Sequence, residues 1–274
     1  MNKIVFLLLF SFLSLSHMEG QTQEELFGKA LDYLEAEDYV NAEDYLKQAL
    51  RQEPTNPANS LLLMNLGTVQ RNLGKHDEAL MSYTAAMSKF PDRKKLLHIR
   101  AALLCEMEKY DEALKDYDAI LSLDESDKDA LYCRALINMT NSKPEEAHKD
   151  FDKLLSINPK NWQASEAKAT MLKLQGEWHE AEEVLTDAIY NNKSQGRLYA
   201  HRAECYVALR KLGTAQADLS KAKELEYNDS YLYIVWGKLR LQQYDKRAAK
   251  ESFSKAKELG ADEKVVEELL LYCK

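Results

Sequence analysis

The sequence predicts an all-α fold: an α-solenoid of about seven helix–turn–helix repeats closed by one C-terminal capping helix. Three observations predict it. Ala42, Ala79, Ala113, Ala147, Ala181, Ala215 and Ala249 recur at an interval of 37 and then five times of 34 residues. A second series (Ala30, Gly67, Ala101, Ala135, Ala169, Ala203 and Gly237) keeps the same intervals, and two series locked in step define a repeat array. The third is composition. Of 274 residues, 45% are hydrophobic and 30% charged, with only 9 Gly and 5 Pro, a balance that favours helices throughout. Length alone would suggest one or two globular domains, but a solenoid has a continuous, elongated core.

The chain opens MNKIVFLLLFSFLSLSHMEG. Lys3 supplies a short positive region, and the apolar run Ile4 to Leu15 has the length of a signal-peptide core, short for a membrane-spanning helix. Residues 1–20 are therefore expected to be a signal peptide, cleaved after Ser16 or after Gly20. Export would place the mature chain in a periplasmic or extracellular space, with association to the envelope as a further expectation. No cysteine directly follows the run to carry a lipid, because the first is Cys105. Cys105, Cys133, Cys205 and Cys273 form no CxxC pair. They read as free thiols acting as small hydrophobes, or, in an oxidising compartment, as a Cys105–Cys133 bridge between neighbouring repeats.

Residues 23–260 carry the array. In its third unit Leu97, Ala101 and Leu104 recur at helical spacing, Glu108 to Asp111 break the pattern, and Ala113, Tyr117, Ile120 and Leu121 share the next helical face. The small residues belong where two helices cross closely. The larger residue four positions after each first-series Ala (Leu46, Tyr83, Tyr117, Phe151, Leu185, Leu219 and Phe253) should fill the space between units. Three extra residues, Pro57 to Asn59, lengthen the connection between the first two units. Pro144 suits the first turn of its helix, where a missing N–H costs nothing. Tyr244 stands two residues early for its unit, which predicts an irregular seventh turn. Asp262 is placed to cap a last helix from Glu263 to Cys273. With Val265, Val266, Leu269, Leu270, Leu271 and Tyr272 that helix, in 261–274, is apolar on more than one face. It covers the last repeat; its leftover apolar surface is either incidental or a docking surface formed by Val265, Leu269 and Tyr272.

The pattern resembles the tetratricopeptide repeat (TPR) family. The resemblance rests on Leu66-Gly67, Ala79, Tyr83, Ala86 and the unit-ending Pro91, with Tyr39, Tyr110 and Trp178 as turn aromatics, and it covers residues 23 to 260. It implies a right-handed α-solenoid whose first helices line a concave groove for peptides. By register that groove would present Met64, Arg71, Lys95, His98, Tyr132, Leu136, Glu166, Lys173, Arg197, Glu204, Tyr231, Ile234 and Lys238. Tyr132, Leu136, Tyr231 and Ile234 are either peptide anchors or ordinary packing residues. Of the Lys/Asn clamp that some members use on acidic chaperone tails, Asn65 and Lys95 match, whereas Phe27, Leu31 and Ile99 occupy other clamp positions.

The net charge of −8 and the lack of a basic block argue against nucleic acid as partner. No phosphate-binding Gly-rich loop, GxSxG or HExxH motif occurs. His179-Glu180 fails as a zinc motif because Glu183 stands where the second His belongs. The expected function is thus a non-enzymatic protein-interaction scaffold for a peptide or protein, without cofactor, metal or small-molecule substrate. The alternative is a structural subunit of an envelope or surface assembly, self-associating or docked through its C-terminal helix.

Overall fold

The computed structural model describes residues 21–88 and 92–274. The expected signal peptide and Pro91 lie outside them. The described residues form helices joined by turns, with no strand among them. Paired in order, they are α1 (Gln23–Glu35) with α2 (Tyr39–Gln52), α3 (Asn59–Asn72) with α4 (His76–Ala86), and α5 (Arg93–Glu106) with α6 (Tyr110–Leu123). Then come α7 (Lys128–Thr140) with α8 (Pro144–Ile157), and α9 (Trp162–Gln175) with α10 (Trp178–Asn191). Last are α11 (Gly196–Ala208) with α12 (Leu212–Glu224), α13 (Ser230–Gln242) with α14 (Lys246–Glu258), and the single α15 (Glu263–Leu271). This is an all-α solenoid of helix–turn–helix repeats. It divides into two compact units, Met1–Leu96 and Leu97–Lys274.

The two small-residue series do what close helix crossings require. All seven first-series alanines are fully buried, and the Leu, Tyr or Phe residues four positions later are buried too. Gly67 and Gly237 take the crossing to its limit. A Cβ on Gly67 would stand 2.6 Å from the Tyr83 ring, and one on Gly237 would stand 2.2 Å from Phe253.

Each turn inside a repeat is built the same way. A residue with positive φ ends the first helix: Glu37, Gly74, Glu108, Ser142, Gly176, Arg210 and Tyr244. The next residue donates its N–H to the carbonyl five positions back, as Lys109 does to Leu104 and Asp245 does to Arg240, closing the last turn in the manner of a Schellman motif. The seventh turn is therefore regular, which corrects the expectation drawn from Tyr244. That side chain is 88% exposed; it sits at the left-handed corner that Gly74 and Gly176 fill elsewhere, not in the core.

In the first unit Thr22 and Glu25 form a reciprocal capping box at the start of α1. The longer connection before α3 is pinned by amides. Gln23 Nε2 donates to Ala49 O (2.9 Å) and to Asn59 Oδ1 (2.8 Å), while Asn59 Nδ2 donates to Glu53 O (2.7 Å). In the second unit Pro144 opens α8. Asp262 Oδ1 accepts from Val265 N–H to cap α15, which ends at Leu271, two residues short of the expected end. Val266 of α15 is fully buried and clusters with Ala249 and Phe253, covering the last repeat. All four thiols are free. Cys105 Sγ lies 4.0 Å from the Tyr117 hydroxyl, and burial pushes the Cys205 thiol up to about 12.

Candidate functional site

In the first unit Met64 and Arg71 are half-buried on α3, and Lys95 is exposed in the first turn of α5, where Asp92 accepts its N–H. In the second unit His98 Nε2 lies 3.1 Å from Asp127 Oδ2. Tyr132 and Leu136 pack on the buried cluster of Leu131, Ala135, Phe151 and Leu154, and the Tyr132 ring meets Phe151 edge-on at 6.4 Å. Both thus have core partners that their spacing did not show.

Six of the expected residues come together in one place. Glu166 and Lys173 on α9, Arg197 and Glu204 on α11, and Tyr231 and Lys238 on α13 surround His201, which the sequence reading did not assign to the groove. Lys173 is only 9% exposed. Its Nζ meets His201 Nδ1 at 3.1 Å, Glu204 Oε2 at 2.9 Å and the Tyr231 hydroxyl at 2.9 Å, which uses all three ammonium donors. Tyr231 donates to Glu204 Oε2 (2.5 Å), Lys238 to Glu204 Oε1 (2.6 Å), and Arg197 to Glu166 Oε1 (2.8 Å). Because Lys173 can only donate, His201 Nδ1 accepts. Its Nε2 carries the proton and faces Glu166 Oε1 at 3.2 Å. The His201 and Tyr231 rings stack at 4.3 Å.

Burial sets the protonation states, and the neighbours decide the sign. Burial would raise the Glu204 carboxyl, but the ammonium groups of Lys173 and Lys238 overcome it and hold the group well below the usual carboxylate range. Burial lowers the proton affinity of His201, and Lys173 adds to that against the Glu166 hydrogen bond. Burial and the Glu204 charge push Tyr231 far up, so it keeps its proton. Glu204 is then an ionised acceptor with three donors around it, and His201 is neutral. The cluster ties α9, α11 and α13 together, with every donor of the buried Lys173 and both ring nitrogens of His201 answered by a partner.

Beside this lock the surface turns apolar. Trp178, Glu204, Val207, Lys238, Leu241 and Leu269 are among the residues around one hollow. A second, sharing Lys238, Leu269 and Tyr272, adds Ile234, Val265, Glu268 and Leu271. The helix α15 therefore extends the row of first helices. The groove residues Ile234 and Lys238 and the docking residues Val265, Leu269 and Tyr272, expected on separate surfaces, line one cleft. Leu269 packs partly into the core, whereas Val265 is 45% and Tyr272 69% exposed.

A further set escaped the sequence reading. Arg100, Arg134 and Arg202 each precede a second-series Ala, and each grips an Asp sixteen residues on. Their Nε atoms donate to Asp116, Asp150 and Asp218, all at 2.8 Å. Arg134 also reaches back to Asp118 (2.6 Å), and Lys168, at the same register, reaches Asp152 (2.7 Å). The signal was present as a basic residue recurring every 34 positions; it was hidden because charged residues on helices are common. Among the described residues no group of His, Cys, Asp and Glu could hold a metal ion, and no helix is long and apolar enough to cross a membrane.

A family model described as tetratricopeptide repeat matches residues 27–93 and 100–161. The crystal structure of a tetratricopeptide repeat protein from Parabacteroides merdae is 38% identical, covering 93% of this chain and 99% of that one with a TM-score of 0.67. The C-terminal part of a TPR repeat-containing protein from Cytophaga hutchinsonii has the same fold at 15% identity (TM-score 0.70), covering 89% of this chain and 99% of that one. YrrB, described as a TPR protein with an unusual peptide-binding site, is 20% identical with a TM-score of 0.53, covering 68% of this chain and 96% of that one. No curated protein matches.

Proposed function

This chain belongs to the tetratricopeptide-repeat family, and from that membership we propose that it is a protein-interaction scaffold taking a peptide or protein partner on the surface of its first helices. The observation that carries the reading is the cleft shared by α11, α13 and α15. Apolar side chains there stay in contact with water beside a rigid polar lock, and exposed apolar surface with a polar rim marks interaction sites. The lock matters energetically. Helices already tied together lose little freedom on binding, so less of the contact energy is spent on ordering. A peptide-binding site is described for one protein of the same fold. The role needs no reaction, only equilibrium binding. The leader read in residues 1–20 would make the encounter periplasmic or extracellular, and the mass of the mature N-terminus tests that.

A photo-crosslinking residue placed at Ile234 in the full chain, expressed in its own cells, should trap a discrete partner. The same residue at Tyr190, exposed on α10, should trap none. Crosslinks from position 190 and none from 234 would overturn the reading. Because Val265, Leu269 and Tyr272 share the cleft, the self-association alternative is visible in the same experiment, as a crosslinked band of twice the chain mass.

A further inference from the structure

The hollows of the second unit differ in chemistry. Those along α6 to α8 are lined largely by charged side chains already paired with one another, such as Arg134 with Asp118 and Asp150. The hollow between α11, α13 and α15 instead has Val207, Leu241 and Leu269 as apolar lining, with Trp178 and Tyr272 beside them. Its volume, about 310 Å³, is at the small end for ligand cavities, which suits one or two side chains of a peptide better than a whole small molecule.

One edge of this hollow carries uncompensated positive charge. The lock contains three cations (Lys173, Arg197 and Lys238) against two carboxylates (Glu166 and Glu204), with His201 neutral. Arg197 is matched by Glu166, so Lys173 and Lys238 share the single charge of Glu204. Lys173 has spent all its donors internally. The surplus therefore emerges at Lys238, whose side chain is 36% exposed and which spends one donor on Glu204 Oε1. Nearby, Gln242 Oε1 is buried without a hydrogen-bond partner, and Gln242 lines the same hollow; a buried acceptor left alone is costly and seeks a donor such as a peptide N–H. Glu268 lines the neighbouring hollow together with Lys238 but forms no ion pair with it, the carboxylate partner of Lys238 being Glu204, so an anionic group is favoured at Lys238.

Resting on the peptide-binding reading above, we infer that this hollow recognises a peptide with a large apolar side chain and an Asp or Glu within about two positions of it, a spacing set by the rise of an extended chain. The apolar side chain enters between Leu241, Leu269 and Tyr272. The carboxylate pairs with Lys238, and a backbone N–H answers Gln242 Oε1. The whole chain carries a net charge of −8, so attraction for the acidic residue is local to this edge and does not steer acidic peptides from afar.

The test is to pan a displayed library of random peptides on the full chain and to measure selected synthetic peptides by fluorescence polarisation. The expected result is enrichment of an apolar–acidic pair. Tyr272→Ala, at an exposed position, should weaken the selected peptides about tenfold, as for loss of an apolar anchor. Lys238→Met should weaken them about fivefold, the scale of one partly exposed ion pair, and should abolish the preference for the acidic residue. Circular dichroism and melting of each variant establish that the fold is kept. Peptides that bind without an acidic position, or whose affinity neither variant changes, overturn this inference and leave the peptide-binding role standing. No enrichment at all counts against both.

Discussion

His201 shows how one side chain reports the state of a whole cluster. It is buried between Lys173 and Glu166 of α9, with Glu204 on its own helix and Tyr231 stacked on its ring. Its proton affinity in the fold lies below the ordinary value of 6.5, so the unfolded chain takes up the proton first. The stability tied to neutral His201 is therefore whole above about pH 6.5 and is lost as the pH falls through that value. Glu204 is lowered from its ordinary 4.5, which adds a second loss once the pH drops below about 4.5. The urea midpoint of the native chain should be lower at about pH 5 than at about pH 7.5. His201→Gln, which can still accept from Lys173 and donate to Glu166, should shrink that difference and leave the loss at lower pH in place. An unchanged difference would mean that His201 is not the group that titrates. The numbering of this chain revealed Lys173, Glu204, Tyr231 and Lys238 as residues on the first-helix faces. It did not reveal that they bond to one another, because partners 27 to 58 residues apart meet only through the stacking of three helices.

At the scale of the helix pair, packing rests on the contact between a small residue and the bulky one that crosses it. Gly237 meets Phe253 so closely that an added Cβ would stand 2.2 Å from the ring. Gly237→Ala should cost about 1–3 kcal/mol by overpacking, and pairing it with Phe253→Leu should recover part of the loss. Ala203 with Leu219 is already that combination one repeat earlier, both fully buried. A urea-denaturation cycle over the two single variants and the double one reads the coupling; strict additivity would show that the ring moves aside freely. The crossing residues were legible because each must be small or large at a fixed place, and a steric demand repeated seven times leaves a visible period. The turns were half legible. Gly74 and Gly176 advertise a left-handed corner, but Glu108, Ser142, Arg210 and Tyr244 adopt the same corner without a residue that betrays it. The closing hydrogen bond and the register of the two helices impose that conformation against local preference.

For the chain as a whole, the lone α15 matters most. It buries Val266 over Ala249 and Phe253 and lends Val265, Leu269 and Tyr272 to the cleft. Removing residues 261–274 should destabilise the last repeat by roughly 2 kcal/mol, from the apolar area uncovered. Hydrogen exchange should then accelerate in α13 and α14 and stay unchanged in α7 and α8, since a repeat exchanges energy mainly with its neighbours. Uniform acceleration along the chain would show one cooperative block instead. The period of 34 residues, the buried crossings and the tetratricopeptide-repeat membership could all be read from the order of amino acids, because they follow from sterics within and between adjacent helices. The polar lock, the regular seventh turn and the merging of groove and C-terminal helix into one cleft could not. Each depends on where side chains from three or four helices point once those helices are stacked, and a linear pattern holds no record of that.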